Sequence, residues 1–301
     1  MSPDPYAFSN PSEYRSVVLK IYRDNGLDFG GLFAETLPYF AERKTTADLD
    51  DRANVLLLEV DENIAFLLLV SLKLKAYLLE DESSYRIAMA ALLSGVTSIL
   101  TGIRQLASGG LVLPAIQLCR PLRDMVNVAL LCVIDADITE RFSATTTPAV
   151  ANHFWHEFLA RDKDLKAIDE AFRQNVGGNE ALFSHFEADL NQKLGMMVHP
   201  SFGGGALAAE FDLLQMFRPD PGPVIAAHRP LSFSVNQAFR LLSGLFPPSF
   251  LLGRHVDELI PAVDQAFVGR LRRSLFELYL FTIVRLSRTP WVTAGEPDAE
   301  L

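Results

Sequence analysis

The segment between residues 113 and 133 constrains the fold of this chain more than any other. It is almost wholly apolar, yet five polar side chains recur within it: Gln117, Arg120, Arg123, Asp124 and Asn127. A helical repeat of 3.6 residues places all five on one face. We therefore predict a central helix over residues 111–135 that is packed on most sides and carries a single polar stripe.

The composition of the chain favours buried helices over a membrane span or a disordered chain. Hydrophobic residues make up 49% and charged residues 21%, and the mean hydropathy is +0.17, which excludes a largely disordered chain. The longest uncharged apolar run, residues 87–103, is diluted by Ser, Thr and Gly, and the other candidate runs contain charges. Because such charges are costly in a bilayer, we expect core helices and no membrane span. The net charge of −10 argues against nucleic-acid binding over the whole surface.

Helical spacing and capping signals recur along the chain, and no segment has a strong strand signal. We predict helices over residues 84–107, 111–135, 138–142, 148–161, 163–175, 179–198, 234–243 and 261–288, with a Pro-rich irregular connector over 218–230. The predicted fold is an all-α multi-helix bundle in a single domain, 1–301. Its helical core covers about 47–205, and the C-terminal helices of 231–288 pack back on that core.

The polar stripe has three interpretations, because charge inside an apolar helix must be paired or must line a cavity. It can be a structural ion-pair network that fixes helix register, with Arg120 and Asp124 at the spacing of an intrahelical pair. It can be an anion pocket, with Arg120 and Arg123 binding phosphate or carboxylate and Asp124 as orienting group or base. It can also be a solvated face at a helix end.

His199 is the histidine best placed for acid–base chemistry, since it ends a predicted helix directly before Pro200 and Ser201. A capping histidine bonded to last-turn carbonyls is the alternative interpretation. The run His153-Phe154-Trp155-His156-Glu157 matches neither zinc-helix motif, so we predict no metal site and no cofactor.

Both cysteines are predicted to be buried, unbridged thiols. Cys119 and Cys132 lie on one predicted helix, where thirteen residues separate them by roughly 20 Å, too far for a disulfide. The N-terminus lacks the basic start and apolar stretch of a secretory signal. These features predict a cytoplasmic protein.

Several segments together resemble a bacterial all-helical family of unknown function. They are Leu92-Leu93-Ser94-Gly95, Gly110-Leu111-Val112-Leu113-Pro114-Ala115, Arg120-Pro121-Leu122-Arg123-Asp124-Met125-Val126-Asn127, Ile138-Thr139-Glu140-Arg141-Phe142 and Val198-His199-Pro200-Ser201-Phe202. The family combines an Arg-x-x-x-Asp/Glu helix with a later His-x-Ser motif, and the resemblance covers residues 85–205. Some of its members look related to HEPN-type domains, which include RNA-cleaving toxins and abortive-infection proteins.

The resemblance implies a phage-defence or toxin-type effector that recognises RNA or another phosphate-bearing ligand. Arg120, Asp124 and His199 would then be catalytic, and the ligand-binding residues would be Gln117, Arg123, Asn127, Lys193 and Ser201. The HEPN ribonuclease motif places Arg four to six residues before His, whereas here Lys193 precedes His199, and lysine lacks the bidentate fork. The alternative hypothesis is a non-enzymatic helical homodimer that acts as an interaction module, an antitoxin-like partner or a sensor.

Overall fold

The computed structural model describes residues 11–27, 51–78, 83–176 and 228–245, with positions 266, 269–270, 273–274 and 277–278. Within these residues all regular secondary structure is helical, which confirms the predicted all-α class. The helices are α1 (Pro11–Asp24), α2 (Asp51–Tyr77), α3 (Ser84–Ser108), α4 (Val112–Ile134), α5 (Ala136–Ser143), α6 (Pro148–Phe158), α7 (Lys163–Val176) and α8 (His228–Leu245). A short 3₁₀ turn, Ala160–Asp162, connects α6 and α7.

Helices α3 and α4 form an antiparallel hairpin. The turn between them contains Gly110, whose φ of +76° favours a residue without a Cβ atom. A Cβ atom on Gly95 would lie 2.5 Å from Cε of Met125, and one on Gly102 would lie 3.1 Å from Cδ1 of Leu118. Both pairs of positions are equally far from Gly110 along the chain, as an antiparallel pairing requires. The glycines of α3 therefore allow α4 to pack closely.

The inner half of α4 lies at the centre of the bundle. Every residue of 126–133 is buried, and α4 packs against α3, α5, α7 and α8. Helix α8 also packs on α2, and α2 packs on α3 and α1. In the outer half of α4, Gln117 and Pro121 are exposed, and the helix continues through Pro121 without a break. The predicted packing on most sides is therefore most complete in the inner half, while the outer half has a buried face and an exposed one.

Two predicted helix boundaries are wrong, each for a local reason. Residues 228–230, assigned to the irregular connector, already belong to α8. Pro230 lies in the first turn, where a proline loses no intrahelical hydrogen bond, and its carbonyl accepts from Oγ of Ser234 at 2.7 Å. The helix predicted over 148–161 ends at Phe158, and Arg161 adopts a left-handed backbone with φ of 62°.

Helix α3 is, among the described helices, the one long and apolar enough to cross a membrane by length and composition. Leu93, Leu100 and Ile103 of this helix are fully buried inside the bundle, whereas Ile87 is exposed. Near its C-terminal end, the Arg104 guanidinium donates to both carboxylate oxygens of Asp61 on α2, at 2.8 and 2.9 Å. These contacts are those of a core helix in a bundle.

Candidate functional site

The polar stripe of α4 runs from the protein surface into the core. Gln117 at its outer end is exposed, and Arg120 is half-buried. One turn further along the helix, 14% of the Arg123 side-chain surface and 25% of the Asp124 side-chain surface are exposed to solvent. Asn127 at the inner end is fully buried. The five residues therefore share a face but not an environment, and the two ends of the stripe are suited to different roles.

The inner end of the stripe is a hydrogen-bonded junction of three helices. The Asn127 amide nitrogen on α4 donates to Oδ2 of Asp164 on α7 at 2.7 Å. Nη1 of Arg240 on α8 donates to the Asn127 amide oxygen at 3.0 Å. Asp164 and Arg240 are as buried as Asn127, with 1% and 2% of their surface exposed. The amide thus links a buried cation to a buried carboxyl group and aligns its dipole with both.

Asp164 is held in an environment that disfavours its charged form. Burial raises the pKa of its carboxyl group, and the nearby charge of Asp124 acts in the same direction. The hydrogen bond from Asn127, a backbone hydrogen bond at Leu165 and the charge of Arg123 oppose that rise without cancelling it. Oδ1 of Asp164 is buried and has no hydrogen-bond partner among the residues that the structure describes. The carboxyl group is therefore satisfied on one side only.

The outer end of the stripe carries a partly exposed ion pair between neighbours. Nε and Nη2 of Arg123 donate to Oδ1 of Asp124 at 3.2 and 3.0 Å. The ion pair that the structure shows at Asp124 is thus with its neighbour Arg123. The long Arg123 side chain reaches the adjacent carboxylate, and Asp124 forms an ion pair with its guanidinium. Arg120, one turn earlier on the same face, adds a second positive charge to this end of the stripe.

Three of the predicted site residues lie outside the described residues. They are Lys193, His199 and Ser201. The structure thus brings together Arg123 and Asp124 at the outer end and places Asn127 one turn inward, in the junction. It leaves Gln117 on the surface, where it is a candidate for a peripheral ligand contact only.

The sequence prediction missed two members of the buried junction, Asp164 and Arg240. Arg240 carried a usable signal, because it is the one charged residue in the otherwise apolar or uncharged stretch 231–245. Asp164 carried a weaker one, since it follows Lys163 in a charged helix start and resembles an ordinary first-turn carboxylate. Only the packing of α7 against α4 shows that it faces inward.

The remaining candidate groups do not form a reactive site within the described residues. Cys119 and Cys132 are buried and not in a disulfide, as predicted, and burial raises the pKa of the Cys119 thiol well above its usual range. On the surface, Glu157 pairs with Arg141 and lies 3.5 Å from Nε2 of His153. Across the described ranges, no group of three or more His, Cys, Asp or Glu side chains is arranged to hold a metal ion.

Comparisons with protein-family models, curated proteins and solved structures return no match to this chain. The class of protein that its fold and stripe define is an all-α bundle with a polar seam between α4, α7 and α8.

Proposed function

We propose that this protein is a helical effector that recognises a phosphate-bearing ligand, a nucleotide or RNA, at the outer end of the α4 stripe. The observation that carries the proposal is the oriented Arg123 guanidinium. Asp124 holds its Nε and Nη2, and a guanidinium has five N–H groups, so the others stay available for an anion. A fixed, partly exposed arginine is typical of phosphate recognition because its donors are already in position.

The charges around Arg123 support an anionic ligand. Arg120 lies one turn away on the same face and is half-buried, so a second arginine stands at the end of the stripe that meets solvent. Asp124 reduces that potential but also fixes the guanidinium, as carboxylates do beside many functional arginines. The net charge of −10 makes non-specific binding of nucleic acid weak. Recognition at Arg123 is therefore expected to be local and to involve few phosphates.

The role in phage defence rests on the resemblance of residues 85–205 to a family with HEPN-like members. An effector of that kind needs a phosphate-binding surface, which the outer end of the stripe supplies. The proposal concerns recognition; the residues that would complete a catalytic set, His199 above all, lie outside the described part of the chain.

Fluorescence anisotropy of the purified full chain tests this proposal. The probes are a 5′-labelled single-stranded RNA and a labelled ribonucleoside triphosphate, measured separately so that the preferred source of phosphate is identified. We expect Arg123→Ala to weaken binding by about tenfold or more, since charge-assisted hydrogen bonds to phosphate contribute roughly 1.5–3 kcal/mol. The salt dependence of binding should correspond to a small number of phosphate contacts.

Arg141→Ala is the matched control, because Arg141 also forms an ion pair with a carboxylate but lies on α5, away from the stripe. This variant should bind like the wild type. Binding that is equal in Arg123→Ala and the wild type, with both proteins folded by circular dichroism, would exclude the outer stripe as the ligand site. A growth assay during phage challenge, with the same two variants, then tests the defence role.

A further inference from the structure

The charge of the Arg123 guanidinium acts on a carboxyl group that solvent does not reach. Asp164 on α7 is 1% exposed, and its Oδ2 accepts from Asn127, one turn inward of Arg123 on the same face of α4. Oδ1 of Asp164 has no hydrogen-bond partner in the described part of the chain. Burial raises the pKa of this carboxyl group, whereas the Asn127 amide, a backbone hydrogen bond at Leu165 and the charge of Arg123 lower it. The ionised form is therefore stabilised by fixed groups of the protein, Arg123 among them, and not by water.

The other charged and titratable groups around Asp164 come from the helices that pack near it. On α4, the charge of Asp124 raises the pKa of Asp164. On α8, Arg240 donates to the Asn127 amide that bonds Asp164. The described groups on α6, the 3₁₀ turn and the first turn of α7 are exposed or half-buried: His153, His156, Glu157, Arg161, Lys163 and Lys166. The pair of Arg123 and Asp124 is therefore the part of the proposed anion site whose charge acts on Asp164.

We infer that binding of an anion at Arg123 is coupled to uptake of a proton by Asp164, so that ligand binding becomes tighter as the pH falls. This inference rests on the proposed function. An anion bound to the guanidinium cancels much of the positive field that stabilises ionised Asp164. Because Asp164 is buried, water and salt screen the added negative charge only weakly, and the carboxylate is neutralised by a proton from solvent. The coupling is electrostatic, so it requires no contact between the ligand and Asp164.

The coupling gives the affinity a defined dependence on pH. Because an anion at Arg123 raises the pKa of Asp164 further, the protonated protein binds the anion more tightly than the ionised protein does, by reciprocity. Burial already holds this pKa above its ordinary value in the free protein. The affinity is therefore highest below the pKa of the free protein, and it falls as the pH rises through that pKa and the higher pKa of the complex. We expect a total change of about fivefold, the lower end of typical couplings between sites.

Fluorescence anisotropy between about pH 5 and 7 tests the inference with the full chain. The probe is a rhodamine-labelled oligouridylate RNA, because its phosphodiesters, its uracil bases and this dye do not titrate in that interval. The wild type should bind the probe about fivefold more tightly at the acidic end. Calorimetry in buffers of different ionisation enthalpy measures the proton uptake directly, and we expect the wild type to take up a fraction of a proton for each bound anion.

Asp164→Asn identifies the group that binds the proton. The amide resembles the neutral carboxyl group in size, keeps an oxygen that can accept from Asn127 and cannot ionise. This variant should bind the probe about fivefold more tightly than the wild type at about pH 7 and equally tightly at about pH 5, a gain that a loss of packing would not produce. Asp137→Asn makes the same change of net charge at an exposed position on α5, and it should bind like the wild type throughout.

The outcomes separate this inference from the proposed function. If the wild type takes up no proton while Arg123→Ala still weakens binding, anion recognition stands and the coupling is overturned. If a folded Asp164→Asn variant keeps the wild-type dependence on pH, another group binds the proton and the coupling is also overturned. If Arg123→Ala binds the probe as tightly as the wild type, the proposed function fails and the inference fails with it.

A second variant decides the question if Asp164→Asn does not fold. Asp124→Asn removes the other carboxylate whose charge acts together with that of Arg123. Proton uptake that persists in this variant supports Asp164 as the group that binds the proton. Uptake that disappears assigns the proton to Asp124 and overturns the inference.

Discussion

The two ends of the α4 stripe have similar residue types and opposite environments. At the inner end, Asn127 bonds to Asp164 and Arg240 with almost no exposed surface on any of the three. At the outer end, Arg123 and Asp124 bond to each other and remain partly exposed. Burial makes each inner hydrogen bond necessary, because an unpaired charge there cannot be solvated. At the outer end, water can replace any partner that is lost.

This difference separates stability from recognition along a single helix. The inner end joins α4, α7 and α8 through the hydrogen bonds of Asn127 to Asp164 and Arg240, and we assign the structural interpretation of the stripe to this end. The outer end, where Arg123 and Asp124 are partly exposed, is the end to which the proposed function assigns the anion-binding interpretation. We propose that the two interpretations apply to different turns of the same helix. The predictions below test this division, beginning with the largest effect.

Replacing the central amide of the junction should cause the largest loss of stability. Asn127→Leu removes both hydrogen bonds at once and leaves Asp164 and Arg240 buried without their shared partner. We expect the free energy of unfolding to fall by about 3–5 kcal/mol, the cost of breaking a buried charged network. Urea denaturation, monitored by circular dichroism, measures this change in the free energy of unfolding. Gln117→Leu makes the same chemical change at the exposed end and should alter stability by less than about 0.5 kcal/mol. Similar losses in both variants would remove the distinction between the ends.

The Asp61–Arg104 pair between α2 and α3 extends the comparison to a second buried contact. Arg104→Met keeps most of the side-chain volume but leaves the Asp61 carboxylate buried, with only 1% exposed. We expect a loss of about 3 kcal/mol. The exposed pair of Arg141 and Glu157 is the control, and Arg141→Met should cost no more than about 1 kcal/mol. Thermal unfolding at one protein concentration compares the stability of the two variants. A loss of less than about 1 kcal/mol in Arg104→Met would show that burial of the ion pair does not determine its contribution to stability.

The pKa of Asp164 predicts how the inner end responds to pH. Because burial raises this pKa in the folded state, the folded protein binds the proton more tightly than the unfolded chain does. The stabilisation from the neutral carboxyl is complete below the unfolded pKa and is lost as pH rises through the folded pKa. Asp164→Asn cannot titrate there, so its stability relative to the wild type should improve from acid to neutral pH. Urea denaturation at about pH 4 to 7 tests the sign, and a difference independent of pH would contradict it.

Sequence periodicity was sufficient to predict the all-α class and the stripe of α4 within the described residues. The apolar spacing of α4 and the five polar residues on one face correspond to the observed helix, because a 3.6-residue repeat needs no tertiary information. The glycine pair at the turn between α3 and α4 similarly predicted where α3 ends. Local patterns were therefore sufficient for this helix hairpin, although they misplaced the start of α8 and the end of α6.

The depth of each residue and the partners of the stripe could not be predicted in the same way. Asn127 and Gln117 are both uncharged amides at stripe positions. Asn127 is buried because α7 and α8 pack against α4, whereas Gln117 is exposed. Asp164 and Arg240 are 37 and 113 residues from Asn127 in the chain. The spacing of Arg120 and Asp124 allows an intrahelical pair, and the pair that the structure shows joins Asp124 to its neighbour Arg123. Long-range contacts and long side chains thus set the limit of the sequence analysis.

The outer ion pair should give the smallest effect on stability. A double-mutant cycle of Arg123→Ala and Asp124→Ala measures the interaction between the two side chains separately from their other contacts. We expect a coupling free energy below about 1 kcal/mol, because both groups keep contact with solvent and water replaces the lost partner. A cycle of Asn127→Ala and Asp164→Ala should give a larger coupling, since neither group has that replacement. Equal couplings would mean that the outer pair also fixes the fold, and Arg123 would then be a structural residue whose loss weakens ligand binding only by disturbing the helix.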